Sequence, residues 1–226
     1  MSQLALLELP TSTLLEKFGA GHHSPGSGSA AALMGVLSCR LLQTVAKLTL
    51  GKPAYRKDHP KIEHLVSRIN EEKEPSLRSL FQKDAEAFDR VFKVRVARNA
   101  APKDSPERKR CSTQALEYLK EATAIPFEIA DLCVSLIDDG VAIFDMGYKS
   151  ARGDTGAAIS AAVAGAMSSV FVINLNLRSF RDSDWAVAQR QRCDSLHDVL
   201  TRKQLDAFGR VMILRDDELA TVGLNL

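Results

Sequence analysis

The stretch TGAAISAAVAGAMSSVFVINLN, residues 155 to 176, decides the fold. It carries no charged side chain and approaches the ~20 residues that a membrane-spanning helix needs. Alanine, glycine and serine dominate it, and it ends on Asn174 and Asn176. That composition fits a central helix buried on all sides of a soluble bundle better than a lipid-facing span. We therefore predict no membrane association.

Outward from this stretch the signals remain helical. AAALMGVLSCRLLQTVAKLTL, residues 30 to 50, places apolar residues at 33, 36, 37, 41, 45 and 48, which is helical spacing. Gly51 and Pro53 end it. TSTLLEKF, residues 11 to 18, opens with Ser12 four residues before Glu16, read as a capping pattern. Residues 60 to 98 read as helical, with Pro75 at an internal helix start. A two-proline loop spans 99 to 106, and helix resumes from Glu107 to Thr123. Pro126 either kinks that helix or opens the next, and helical spacing returns over 127 to 144. Residues 182 to 209 read as a charged surface helix, broken near Ser195. The tail from Arg210 reads as a short strand or a flexible end. No run alternates as a sheet strand does, and no fixed repeat occurs. The prediction is an all-α, multi-helix bundle with two small-residue helices at its centre, forming one domain over residues 1 to 226. Small-residue helices allow close backbone approach and often pair between copies, so a homodimer or larger homo-oligomer is expected.

Bulk properties narrow the function. Thirty basic residues against 28 acidic ones give a net charge of +2, without the basic surplus of a nucleic-acid-binding protein. Aromatics are 6% of the chain, too few for a base-stacking platform. Cys39, Cys111, Cys133 and Cys193 form no C-x-x-C pair and read as buried, reduced thiols of a cytoplasmic protein. The N-terminus lacks a basic segment and a long apolar run, so it does not read as a signal peptide. His22 and His23 lack a carboxylate or cysteine at ligand spacing, and His59 and His64 are isolated, so no metal site is predicted.

Several residues stand out on local grounds. Leu77, Leu80, Phe81, Phe88 and Val91 form an apolar stripe, and Asp84 sits on it. A carboxylate there is costly unless partnered. It is either a structural cap or ion pair, or a group with a shifted pKa available for proton transfer. Lys52, after the long apolar helix, either complements the helix dipole or faces a reacting group. Gly26, Ser27, Gly28 and Ser29 precede a helix start, where backbone N–H groups bind oxygen ligands or a serine caps the helix. Asp154 reads first as an N-cap of the second small-residue helix. Asn174 or Asn176 needs an internal partner. Arg40 and Arg178 are candidate carboxylate clamps, and His23 a candidate proton carrier.

These residues fall in a collinear series of motifs. SPGSGSAAALMG (24 to 35), LTLGKPAY (48 to 55), DAEAFD (84 to 89), ATAIPFEIA (122 to 130), DTGAA (154 to 158) and the V-x-x-N-L pattern near 172 to 175 resemble the formiminotransferase-cyclodeaminase C-terminal family. That family includes stand-alone methenyltetrahydrofolate cyclohydrolases. The chain differs where Ser27 interrupts a glycine triplet, and where Tyr148, Ser150 and Gly153 replace asparagine and serine. The resemblance implies a tetrahydrofolate derivative as substrate, with Lys52 and Asp84 as a catalytic acid–base pair. It also implies a substrate pocket drawn from Pro25, Gly26, Ser27, Gly28, Ser29, Tyr55, Asp154 and Asn174. Two reactions follow from it: hydrolysis of the methenyl bridge to 10-formyltetrahydrofolate, or ammonia-releasing cyclodeamination of formiminotetrahydrofolate. The first motif starts too early for a formiminotransferase domain before it, which favours hydrolysis. A third reading is a non-catalytic helical scaffold that keeps the fold.

Overall fold

In the computed structural model, residues 5–180 and 183–221 are described, with side chains through residue 214. Every extended element is helical: α1 (Thr11–Gly19), α2 (Ser27–Leu50), α3 (His59–Arg68), α4 (Glu74–Ala100), α5 (Pro106–Met146), α6 (Arg152–Leu177) and α7 (Asp184–Thr221). Short 3-10 turns cover Leu6–Glu8, Pro53–Asp58 and Lys149–Ala151, and a π-helical turn, Ile69–Lys73, joins α3 to α4. No strand occurs among the described residues.

Several boundaries differ from the sequence reading. Pro126 lies inside an unbroken 41-residue α5 and opens no new helix. Pro75 does start α4, but through the π turn, so the chain from His59 to Ala100 hardly leaves the helical state. Helix α7 runs through Ser195 without a break and continues to Thr221, where a strand or loose end was expected. Residues 222 to 226 of that tail, and residues 1 to 4 of the N-terminal stretch, lie outside the described residues. Ser12 is not a cap: α1 begins at Thr11 after Pro10, and no side chain caps it.

Helices α2, α5 and α6 form the centre, with α4 against α2 and α5, and α7 along α6. Helix α6 runs antiparallel to α2. Its Gly165 abuts Ala31 and Met34 near the start of α2, while the loop preceding α6 is bonded to Thr49 at the end of α2. The approach is close enough that a Cβ on Gly165 would stand 2.9 Å from the Ala31 carbonyl oxygen and from Cys133 Sγ. That contact is why the uncharged 155–176 stretch is rich in small residues. By length and composition, α2 and the span Lys149–Leu177 are each apolar enough to cross a membrane.

The core-facing side of α2 departs in part from the expected stripe. Ala31, Ala32, Gly35, Ser38, Cys39 and Ala46 are buried, whereas Leu37 and Leu48 are 54% and 44% exposed. Of the predicted stripe, Val36 and Val45 are buried and Leu33 and Leu41 are half-buried against the core. The exposed side of α2 carries Arg40, Thr44 and Lys47 together with Leu37 and Leu48, so its outward face mixes polar and apolar residues. Close packing against α6 selects the small residues. On α6, Met167, Phe171 and Leu175 are likewise exposed.

A polar seam crosses the bundle. Lys73, buried on the π turn, binds Asp139 of α5 and reaches the Ser135 hydroxyl at 2.6 Å. Beside it Glu74, also buried, accepts from Gln43 at 2.7 Å and from Arg78 at 2.7 Å, and pairs with Arg40 at 2.6 Å. Arg40 is thus engaged by Glu74 while its side chain stays largely exposed. Cys39, enclosed near Glu74 and Asp139, has its thiol pushed up to about 12, chiefly by burial. All four cysteines are free and buried.

Candidate functional site

Chain direction divides the predicted site residues into two clusters. The first lies where the turn before α2 crosses α4. Gly26 is the N-cap of α2 and no side chain caps the helix, so neither Ser27 nor Ser29 plays that part. The Ser29 hydroxyl instead meets α4. It lies 2.9 Å from Asp84 Oδ2 and 3.2 Å from the Phe81 carbonyl. A Cβ on Gly28 would overlap the carboxyl group of Asp84, so glycine here is the condition for the carboxylate to reach the helix start. The turn is pinned further along α4, where the Ser24 hydroxyl donates to the Ala85 carbonyl at 3.3 Å. His23 Nε2 stands 2.9 Å from Asp89 Oδ1, and the imidazole stacks on Phe92 with centroids 3.8 Å apart. Pro25 and Gly28 are buried and Ser27 is exposed.

Burial raises the Asp84 pKa, against the opposing effect of hydrogen bonds from the Ser29 side chain and backbone. The sign has a consequence for stability. A carboxyl whose folded pKa is raised contributes stability below its unfolded pKa, and that contribution is lost as pH rises through the folded value. Asp84→Asn, which cannot ionise, should therefore unfold at a higher urea concentration than the parent protein at about pH 7. The gain should shrink as pH falls toward the ordinary carboxylate range near ~4. A variant less stable than the parent at neutral pH would contradict the assignment of Asp84 as a carboxylate under desolvation strain.

The second cluster lies at the far end of α2. Lys52 Nζ sits over the Tyr148 ring, 4.2 Å from its centroid. Tyr55 packs edge-on against Tyr148 at 6.1 Å, and its hydroxyl accepts from the Lys149 backbone N–H at 3.2 Å. The Tyr148 N–H donates to Thr49 Oγ1 at 2.9 Å, and Thr49 in turn donates to the Val45 carbonyl. Asp154 is exposed within the first turn of α6 at this end, and the N-cap is Ala151, so Asp154 is not the cap that the sequence suggested.

Lys52 and Asp84 do not meet within one chain. Gly28, against Asp84, and Leu50, two residues before Lys52, are 22 residues apart along α2, which is about 33 Å at 1.5 Å per residue. Asn174 joins neither cluster. Its amide donates to the Val170 carbonyl at 2.9 Å and lies 3.3 Å from Cys193 Sγ, in a groove of about 620 Å³ between α6 and α7. Arg178 lines the same groove. Among the described residues no group of three His, Cys, Asp or Glu side chains is placed to hold a metal ion.

The antiparallel helical bundle thus holds a carboxyl of raised pKa under a Gly-Ser turn at one end and a lysine beside two tyrosines at the other. The formiminotransferase-cyclodeaminase family matches residues 10–195, and the chain belongs to it. A methenyltetrahydrofolate cyclohydrolase of Methylorubrum extorquens is 26% identical over 185 residues, spanning 81% of this chain and 86% of that protein. The crystal structure of a formiminotetrahydrofolate cyclodeaminase from Thermotoga maritima superposes with a TM-score of 0.76 at 22% identity. That match covers 95% of this chain and 99% of the other, and it shows the shared fold.

Proposed function

We propose that the chain is a cytoplasmic methenyltetrahydrofolate cyclohydrolase, adding water to the methenyl bridge and yielding 10-formyltetrahydrofolate. The observation that carries this reading is Asp84, a half-buried carboxyl with a raised pKa held at the mouth of α2. A raised pKa makes a carboxylate a stronger base toward an attacking water. As water attacks the bridge carbon, Asp84 takes the proton. When the bond from that carbon to N5 breaks, the Lys52 ammonium, assigned to this step, donates to N5 and regains the proton that the added hydroxyl gives up as the formyl carbonyl forms, and Asp84 returns the first proton to solvent. The Pro25–Ser29 turn, residues 25 to 29, offers backbone N–H groups to the pterin, and Tyr55, Asp154 and Asn174 are assigned to substrate binding.

The separation of Lys52 from Asp84 supports a site shared between two copies. A two-fold axis across α2 and α6 reverses both helices, bringing the Lys52 end of one copy to the Asp84 end of the other. The outward residues Leu37 and Leu48 of α2, and Phe171 and Leu175 of α6, supply apolar surface for such contact. We therefore assign a homodimer in which each site draws on both copies and each copy is one helical domain, residues 1 to 226. The relative of M. extorquens, named as a cyclohydrolase, favours hydrolysis over ammonia release.

The test is loss of the methenyl chromophore on mixing 5,10-methenyltetrahydrofolate with the purified protein. Asp84→Asn should slow the enzymatic rate by about 10²–10⁴-fold, the usual contribution of general acid–base groups. Ammonia release from formiminotetrahydrofolate without chromophore hydrolysis would transfer the site to cyclodeamination. Folate binding with neither reaction would leave a scaffold.

A further inference from the structure

The three chemistry-bearing residues of LTLGKPAY, 48 to 55, converge on one side chain outside that motif. Thr49, fully buried, receives the backbone N–H of Tyr148. Lys52 places its ammonium over the Tyr148 ring, and Tyr55 packs edge-on against that ring. The Tyr55 hydroxyl also fixes the next peptide, at Lys149. Tyr148 is thereby tied at its backbone and enclosed on two sides, while a lysine side chain alone has four rotatable bonds and wanders. An ammonium held on an aromatic face is restrained in direction without being neutralised.

We propose that Tyr148 is the positioning residue for Lys52, aiming its ammonium at the reacting bridge. This rests on Lys52 acting in the reaction proposed above. The phenol is itself marked by the contact. Its pKa is lowered first by a hydrogen bond with Ser150 and next by the positive charge of Lys52. The other groups facing it are Tyr55 and the adjoining Lys149.

The experiment uses the full-length protein and three variants, Tyr148→Leu, Tyr148→Phe and Lys52→Met. In the methenyl chromophore assay Tyr148→Leu should lower kcat on the order of 10²-fold, the scale of a misplaced catalytic group, with KM changed by less than about twofold. Tyr148→Phe keeps the ring face and should recover to within about tenfold of the parent kcat. A purely structural role would instead lower stability and kcat alike for leucine, with no separation of kcat from KM. An ultraviolet titration of the three tyrosines reads the contact without turnover. One tyrosine should ionise early, be missing in Tyr148→Phe, and ionise later in Lys52→Met. Unchanged kcat in Tyr148→Leu, beside an inactive Lys52→Met, overturns the inference while leaving the proposed reaction intact. If the parent protein does not hydrolyse the chromophore, that reaction fails, and the titration still decides: an early tyrosine indifferent to Lys52→Met overturns the contact.

Discussion

Two inactive variants should rescue each other. Asp84→Asn and Lys52→Ala each remove one member of the proposed acid–base pair from every site of a homodimer. When the two proteins are mixed and allowed to exchange subunits, half of the dimers become mixed. In a mixed dimer one site receives Asp84 from one chain and Lys52 from the other, and the second site receives neither. Random exchange should therefore restore about one quarter of the parent activity, as the two-fold arrangement requires. The return should follow the time course of exchange, tracked by mass spectrometry on differently sized chains. No return of activity after exchange is complete would rule out sites shared between copies. The ~33 Å of helix between the two clusters would then leave Lys52 without a part in Asp84 chemistry.

The largest stability effect should come from the polar seam. Lys73 and Asp139 are buried and paired, with Ser135 completing the set. Removing one partner leaves a charge enclosed and unmatched, a loss of about 3–5 kcal/mol. Lys73→Met should lower the melting temperature by roughly 10 °C for a chain of this size. Urea unfolding should show the same loss in midpoint. Adding Asp139→Leu to Lys73→Met should recover most of it, because a well-packed apolar pair of similar volume often replaces a buried ion pair at little cost. A single variant that loses less than about 1 kcal/mol would mean that water or Ser135 compensates Lys73 without Asp139. Surface pairs such as Arg192 with Asp131 should show no comparable effect, since exposed ion pairs contribute little.

Helices were legible wherever one face was apolar and the other polar. Asp84 was found because it interrupts such a stripe, and the structure places it against Gly28 and Ser29. The same argument, carried back one turn, would have found Lys73, which stands four residues after Ile69 and four before Leu77, both buried. It was hidden in EEKE, residues 71 to 74, which reads as a solvated charge run. The inner face of α2 was only partly legible because Leu37 and Leu48 share the exposed side with Arg40, Thr44 and Lys47, while small residues such as Ala31, Ala32 and Gly35 pack inward. Pro126 was ambiguous for a different reason: a proline's lost hydrogen bond is a local penalty, and the packing of a 41-residue helix overrode it. The Lys52–Asp84 pairing was misplaced within the chain because motif spacing carries no information on which end of a helix a residue reaches.

The outward leucines of α2 have a consequence during synthesis. In the proposed homodimer, a new copy would leave the ribosome with Leu37 and Leu48 turned outward and bare until its twin arrives. Its waiting time shortens as copy number rises, so scarce expression prolongs the interval in which chaperones, proteases and wrong neighbours compete for that surface.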